Sequence, residues 1–466
     1  MKIHTGFSLF LLILISACRK DTFINSADAV IRITADTLKY DTVFTSAGSV
    51  TQSFKIINDN DQKLKLSSVK LMGTGSSYSI NVDGFSGPGV TDLELAANDS
   101  VYVFVQVNIN PDANNLPFVV RDSIQVSFNG NTEWIQLEAW GKNAHFLRDK
   151  QVSSDEVWDN DLPYVILGYL YIEPGKTLTI NKGCHIYAHA DAAIIVDGTL
   201  NVNGEKDTTG RVYFGGDRLD EPYKDYPASW PGIFFRTSSH DNILNYAVVK
   251  NAYQAIALQD PSTNGIAKLT LNECIVDNAY DAGIIALNSS VYATNCLITN
   301  SGKNVVLAQG GDYQFTHCTV VTYSNNFMIH KNPVLYISNY ITVNDVPVTS
   351  DLKAVFRNNI FWGENGTVDD EVVTAKNDNA LFDVSFDSNL WKVKTVPAGI
   401  EPLVNAINDQ TPEFDSIDVN KGIYDFHLKK TLSPAIDKGV ATAVTIDLDG
   451  NPRPVGLPDL GCYEMQ

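Results

Sequence analysis

The sequence predicts an all-β protein in which an N-terminal β-sandwich precedes a parallel β-helix. Two patterns support this fold class. Residues 269–342 repeat every 22 residues, whereas residues 29–145 show short alternating strands without that repeat. Apolar positions within each repeat lie mostly two residues apart, which is the period of a strand and not of a helix. One such coil hides its apolar face only by stacking on its neighbours, so the repeat predicts a solenoid.

The repeat is carried by cysteine, by apolar residues and by asparagine. We expect each set to stack as one column of the solenoid, with asparagine at a corner because it tolerates a left-handed backbone and can bond to copies above and below. The columns are Cys274–Cys296–Cys318–Tyr340, Leu269–Val291–Tyr313–Leu335, Leu271–Ala293–Phe315–Ile337, Val276–Ile298–Val320–Thr342, Ile284–Val306–Met328 and Asn278–Asn300–Thr322–Asn344.

The stacked cysteines are predicted to be buried free thiols. Neighbours in register in a parallel sheet lie about 4.8 Å apart, whereas a disulfide brings its Cβ atoms to roughly 3.8 Å. Three stacked cysteines also cannot all pair. We therefore expect Cys274, Cys296 and Cys318 to pack as small apolar groups.

The N-terminus has the composition of an export signal. Lys2 precedes an apolar run over residues 7–15, which is too short to span a bilayer. The run ends in Ile15-Ser16-Ala17-Cys18, which resembles the lipobox of bacterial lipoproteins. The resemblance implies cleavage before Cys18, diacylglycerol on its thiol and an acyl chain such as palmitate on its amine.

These features predict a signal peptide at 1–17 and a lipidated linker at 18–28. Several acyl chains together give stable attachment to a lipid bilayer, whereas one chain binds only marginally. Arg19, and not Asp, follows Cys18. We therefore expect an outer-membrane anchor, with the protein on the periplasmic face or at the cell surface.

Residues 29–145 predict the sandwich. Strands are expected at 49–58 and 63–72, valines alternate over 101–107, and Asn129-Gly130 indicates a hairpin. Seven to nine strands in this length suggest an immunoglobulin-like sandwich. The segment resembles the Ig-like modules that precede repeat domains in surface lipoproteins of Bacteroidota. The motifs that carry the resemblance lie at 41–45, 81–84, 99–105 and 137–141.

The remainder resembles right-handed parallel β-helix repeat proteins. Residues 178–214 and 230–246 are similar to their opening coils, and the motifs at 432–439, 447–454 and 459–464 are similar to their closing tails. The resemblance implies a linker at 146–164, a right-handed β-helix at 165–430 and a C-terminal cap of the solenoid at 431–466. It implies almost nothing about activity, because fold does not fix function.

The best candidate ligand site is a long excursion from the coils at residues 215–230. Carboxylates there could hold Ca²⁺ and aromatic rings could stack on sugars. The alternative is a structural loop that folds over the solenoid. The candidate ligand-binding residues are Asp217, Asp220, Tyr223, Asp225, Tyr226 and Trp230.

Two weaker metal motifs occur. His185, Tyr187 and His189 share one face of a strand but lack a clear third ligand. Asp447-Leu448-Asp449-Gly450 starts like a calcium loop, yet Pro458 stands where the distal glutamate would be, so a turn is favoured. Ca²⁺ is the cofactor left open, and no metal ligand is assigned.

Charge and motifs narrow the function classes. The net charge is −20 and no basic patch is visible, which argues against nucleic acid. The Gly-His-Gly and Arg-Ile-Lys motifs of β-helix hydrolases are absent, so no catalytic residue is assigned. We expect an envelope lipoprotein whose rigid β-helix binds polysaccharide or another surface protein. A β-helix polysaccharide lyase or hydrolase and a purely structural envelope component remain alternatives.

Overall fold

The computed structural model describes residues 22–44, 51–109, 118–219 and 223–466. The chain divides between Asn143 and Ala144 into two compact units. The predicted signal peptide and the lipid site Cys18 lie outside the described residues. Within those residues, no helix is long and apolar enough to cross a membrane.

The N-terminal unit consists of two facing β-sheets. One has the order β1-β3-β8-β5-β6 and the other β2-β10-β9-β4-β7, and their inner faces share one apolar core. Along β8 the valines from Val101 to Val107 are buried while Tyr102 and Phe104 are exposed, as period-2 alternation requires. The sandwich prediction is confirmed. Strands β1 to β10 are, in chain order, Ile31–Ile33, Thr37–Phe44, Gln52–Asn58, Leu64–Leu71, Tyr78–Val82, Phe85–Gly87, Gly89–Leu95, Ser100–Val107, Phe118–Phe128 and Asn131–Lys142.

The second unit is a parallel β-helix, as the sequence predicts. Twenty-six strands form one continuous ladder, in which each coil pairs in parallel with the next. The ladder strands β11 to β29 are His145–Val152, Glu156–Trp158, Tyr164–Ile172, Thr177–Asn181, His185–Ala188, Ala193–Val196, Thr199–Asn203, Val212–Gly216, Ile233–Phe235, Asn242–Asn245, Ala247–Lys250, Gln254–Gln259, Leu269–Asn272, Ile275–Asp277, Ala282–Thr294, Leu297–Thr299, Val305–Thr316, Thr319–Tyr323 and Leu335–Ser338.

The remaining strands complete the ladder or form hairpins. β32 to β38 continue the ladder, whereas β30–β31 and β39–β40 are antiparallel hairpins. Strands β30 to β40 are Tyr340–Val343, Val346–Thr349, Leu352–Arg357, Ile360–Glu364, Val372–Ala375, Phe382–Asp387, Leu390–Trp391, Ile400–Val404, Ile407–Asn408, Phe414–Asp418 and Ile423–Leu428. The one helical turn assigned in the described residues is a 3₁₀ helix at Tyr223–Asp225.

Three faces surround one core. Sheet A contains strands such as β20 and β23, sheet B contains β21 and β24, and sheet C contains β19 and β22. Inward side chains alternate with outward ones, so Leu269 and Leu271 are completely buried.

All five cysteines in the described residues are buried and free, which confirms the thiol prediction. The cysteine column continues into buried asparagines, where Asn359 Nδ2 donates to Asn389 Oδ1 at 2.9 Å.

The 22-residue repeat holds for fewer coils than expected. Tyr313 pairs with Ala354 and not with Leu335, because loop 324–334 and hairpin β30–β31 lengthen the coil between those two strands. Leu335 pairs instead with Val305, and Ile284 also pairs with Val305 rather than Val306. The predicted column members from the last repeat are therefore wrong: Leu335, Ile337, Tyr340, Thr342, Asn344 and Met328.

The predicted linker at 146–164 is also wrong. Strand β11 pairs in parallel with β13, and β12 pairs in parallel with β14. The short polar stretch between β11 and β12 is a coil corner, which sequence alone does not distinguish from a linker. The ladder thus begins at His145.

The C-terminal segment covers a flank and does not cap the end. The ladder ends at Asn408, and hairpin β39–β40 and residues 431–466 lie along the outer face of sheet B. Cys462 N donates to Thr319 Oγ1 at 3.0 Å, and Arg211 donates to Leu448 O at 2.8 Å. The contact buries outward apolar side chains of sheet B, namely Leu297, Val321, Tyr323, Ile360, Trp362 and Leu390.

Candidate functional site

The candidate site lies at the corner between sheets B and C. Asn251, Asn278 and Asn300 stack there on consecutive coils, with φ angles of 61°, 58° and 49°. Asparagine is among the few residues that adopt this left-handed conformation readily. The stacking of Asn278 on Asn300 confirms that part of the predicted asparagine corner, and Asn251 extends the column by one coil that the sequence analysis did not include.

Two long loops flank these three short corners. The first loop leaves the solenoid after Gly216, one coil before Asn251, and residues 324–334 leave it one coil after Asn300. The loops meet at Tyr226 and Phe327, whose ring centroids are 5.2 Å apart. The two loops therefore form walls on either side of the corner.

The asparagine column holds the first loop in place. Asn251 Nδ2 donates to Lys224 O at 2.8 Å, and Asn278 Nδ2 donates to Asp225 O at 2.9 Å and to Asn251 Oδ1 at 2.8 Å. Within the loop, the Arg218 guanidinium lies 4.0 Å from the centre of the Tyr223 ring. These contacts fix the backbone that carries Tyr226.

The second loop is held by its own turn and by a buried pair. Asn325 Oδ1 accepts hydrogen bonds from the backbone of Phe327 at 2.8 Å and Met328 at 2.9 Å. His330 Nε2 lies 2.8 Å from Glu371 Oε1, and their side chains are 2% and 0% exposed. Phe327, which is 43% exposed, is thus carried on a fixed segment.

The loops enclose a groove of about 540 Å³. The turn of hairpin β39–β40 and Tyr424 form its third wall. At its floor Lys250 Nζ lies 2.9 Å from Asp277 Oδ2, and this carboxylate raises the pKa of Lys250. The groove is lined by Asp225, Tyr226, Lys250, Asn251, Asp277, Asn278, Asn300, Asn325, Asn326, Phe327, Val419, Asn420, Lys421, Gly422 and Tyr424.

Asn300 supplies an unused donor to the groove. The residue is 4% exposed, and its Oδ1 accepts a hydrogen bond from Tyr323 N at 3.1 Å. Its Nδ2 has no partner among the described residues, unlike the Nδ2 groups of Asn251 and Asn278. Because Asn300 lines the groove, this amide can donate to an acceptor on a ligand.

The candidate residues named from the sequence separate into three groups. Asp225 and Tyr226 line the groove, and Tyr223 packs against Tyr226 with ring centroids 5.3 Å apart. Asp217 pairs instead with His189 at 2.7 Å, and Asp220 lies outside the described residues. Trp230 was assigned wrongly to ligand contact: it is 1% exposed, packs in the solenoid core, and its Nε1 donates to Lys250 O at 2.8 Å.

The two metal motifs have other partners. The His185 ring stacks on the Tyr213 ring with centroids 4.9 Å apart, so this histidine has a packing role. Asp447 Oδ1 accepts backbone hydrogen bonds from Asp449 and Asn451, as a turn residue does. Across the described ranges, no three His, Cys, Asp or Glu side chains are grouped so as to hold a metal ion.

Sequence reasoning missed Phe327, Asn325 and Tyr424. The first two lie in the insertion that breaks the 22-residue repeat, so the break itself was the available signal. Tyr424 reaches the groove only because the C-terminal segment folds back along sheet B. No local pattern indicates that return.

Comparisons with known proteins give no family. No protein-family model and no curated protein matches the chain. Among solved structures, a family 123 glycoside hydrolase from Clostridium perfringens is similar at 9% identity and a TM-score of 0.19, over 26% of this chain and 30% of that one. A PapD-like domain of human CEP192 is similar at 11% identity and a TM-score of 0.19, over 28% of this chain and 94% of that one. The E. coli chaperone DraB is similar at 12% identity and a TM-score of 0.17, over 24% of this chain and 54% of that one.

Proposed function

We propose that the solenoid is a glycan-binding module whose ligand lies in the groove at the asparagine corner. The observation that carries the proposal is the meeting of Tyr226 and Phe327 above a floor of amide side chains. Sugar rings present apolar faces and hydroxyl edges. Aromatic walls bury the former and amides both donate to and accept from the latter.

The proposed ligand is uncharged. The cation at the floor, Lys250, is paired with Asp277, and Lys421 at the hairpin turn lies 2.8 Å from Asp418. An anionic ligand would have to displace one of these partners and would also face the Asp225 carboxylate, which lines the groove. Neutral hydroxyl groups match the asparagines that line the groove: Asn251, Asn278, Asn300, Asn325, Asn326 and Asn420.

The ion pair with Asp277 argues against Lys250 as the base of a lyase. Asp277 favours the protonated form of Lys250, which makes this amine a poor general base at neutral pH. A β-helix polysaccharide lyase or hydrolase remains the alternative to be tested. Its signature would be cleavage products that disappear when Asp277 is changed to Asn.

The proposal includes the cell envelope as the place of action. The lipobox-like ending of the signal at Cys18 supports attachment to the outer membrane. An anchored solenoid would hold polysaccharide close to the membrane. A purely structural role would leave the groove without a ligand.

The groove is tested by removing its two meeting rings together. The full chain carrying Tyr226→Ala and Phe327→Ala is compared with wild type on immobilised starch, xylan, mannan and galactan. We expect wild type to be retained on at least one polymer and the double variant to be released, with little change in melting temperature. The matched control is Tyr102→Ala with Phe104→Ala, an exposed stacked pair in the N-terminal unit. Equal retention of both variants would overturn the proposal.

A further inference from the structure

A second pair of exposed aromatic rings lies just beyond the same corner, on the sheet C side. Tyr253 and Tyr280 occupy one column on consecutive coils and are 47% and 53% exposed. Their ring centroids are 5.8 Å apart with an interplanar angle of 27°. Neither residue lines the groove, and the core packing does not use either ring.

The next residue in this column is a glycine, and the register requires it. Gly302 N donates to Ala279 O, which places Gly302 beside Tyr280 on the following coil. A Cβ at Gly302 would lie 2.2 Å from Tyr280 O, so a side chain cannot be accommodated there without a shift. The outer side of the Tyr280 ring is therefore left open.

A polar strip runs along one edge of the two rings. Asp281 accepts a hydrogen bond from Gln254 Nε2 at 2.7 Å and one from Lys303 Nζ at 2.8 Å. The positive and negative charges of the strip are paired, so its surface offers donors and acceptors with little net charge. This is the same chemistry as the groove floor.

We infer that Tyr253 and Tyr280 form a second sugar subsite for a neutral glycan that also occupies the groove. The inference rests on the proposed function. Asn251 and Asn278 connect the two places, because they hold the groove loop and precede the tyrosines by two residues. Only a ligand several sugars long would reach both, so the subsite selects polymers over short oligosaccharides.

The test compares ligand length in one pair of variants. The full chain is purified in detergent as wild type, as Tyr253→Ala with Tyr280→Ala, and as the Tyr102→Ala with Phe104→Ala control. Each is titrated with starch, xylan, mannan and galactan, and with trisaccharides cut from whichever polymer wild type binds. We expect the Tyr253/Tyr280 variant to bind that polymer about tenfold more weakly, since two lost ring contacts amount to about that factor. Trisaccharide affinity should not change.

The outcomes separate this inference from the proposed function. Unchanged polymer affinity in the Tyr253/Tyr280 variant would overturn the second subsite while leaving the groove intact. Equal losses for polymer and trisaccharide would also overturn it, because the tyrosines would then act on the groove. If wild type binds none of the polymers, both proposals fall.

Discussion

His330 Nε2 and Glu371 Oε1 form a buried contact of 2.8 Å between the groove loop 324–334 and the last residue before strand β34. Gly363 and Gly366 make this contact feasible, since a Cβ at either position would lie 2.3 Å from an atom of His330. The pair fixes the segment that carries Phe327. The position of one groove wall thus depends on a contact made outside the groove.

Changing His330 to Leu should destabilise the solenoid and weaken glycan retention. The carboxylate of Glu371 would be left buried with the backbone N–H of Val334, at 3.3 Å, as its hydrogen-bond donor. A broken buried pair costs about 3–5 kcal/mol. Denaturant titration measures the loss. Lys394→Ala, which removes an exposed contact to Asp369, is the control and should leave the midpoint unchanged. Equal midpoints for both variants would contradict the assignment.

Changing Arg453 to Met should release the C-terminal segment from sheet B. Arg453 bonds to Glu464 at 2.8 Å and to Asn295 at 2.8 Å, and the side chains of Arg453 and Glu464 are completely buried. Loss of the guanidinium should cost about 3–5 kcal/mol. Arg357→Met removes a half-exposed contact of 3.6 Å to Asp387 and should cost far less. Limited proteolysis near residue 431 would report release, and resistance equal to wild type would refute it.

The fold was predictable where one coil follows another without interruption. Cys274, Cys296 and Cys318 repeat in sequence because the coils that carry them have equal length and one core to fill. Past Cys318 the period fails, since inserted residues add length outside the core without disturbing the stack. The cysteine column then continues as Asn359 and Asn389, a change of chemistry that the 22-residue spacing cannot show.

The site was predictable only in part. The excursion that carries Asp225 and Tyr226 is visible as excess length, and the asparagine column is visible as a repeat. The prediction for Trp230 was wrong because the sequence does not show whether an aromatic residue at the end of a loop faces solvent or the core. Tyr424 and Phe327 depend on long-range packing, which spacing along the chain does not encode.

The thiols of the cysteine column should not react with thiol reagents in the native state. Burial raises the pKa of Cys296 well above its usual range, and the reactive species is the thiolate. The five described cysteines should resist a thiol reagent until the chain is denatured. Cys296→Asp would bury an unpaired charge and cost about 4 kcal/mol or more. Cys296→Ala is the control and should cost about 1 kcal/mol. Native labelling of Cys296 would contradict this reading.

Changing Cys18 to Ser should prevent anchoring. The lipobox-like sequence that ends at Cys18 motivates this expectation. The variant should appear in soluble fractions or accumulate as an unprocessed precursor, while wild type partitions into detergent. Cys184→Ser, which changes a buried core thiol, should partition as wild type does. Membrane association of the Cys18 variant with normal processing would refute lipidation at this residue.

His427 should make stability depend on pH above neutrality. Its ring lies between two carboxylates, 2.9 Å from Asp449 Oδ2 and 2.5 Å from Asp425 Oδ1, and stacks on Tyr463 with centroids 3.9 Å apart. The hydrogen bond to Asp449, aided by Asp425 and opposed by burial, raises the pKa of His427 to about 9.

The contribution of His427 is largest when the ring is protonated. An unfolded chain has a histidine pKa of about 6.5, so the stabilisation is fully present below that pH and is lost as pH rises towards 9. Denaturation midpoints measured from pH 6 to pH 10 should therefore fall across this window. His427→Gln should flatten the fall, because neither carboxylate then faces a titrating ring. His240→Gln, at a partly buried histidine beside Asp241, should keep the wild-type slope. A wild-type slope in the His427 variant would show that other groups govern the alkaline loss.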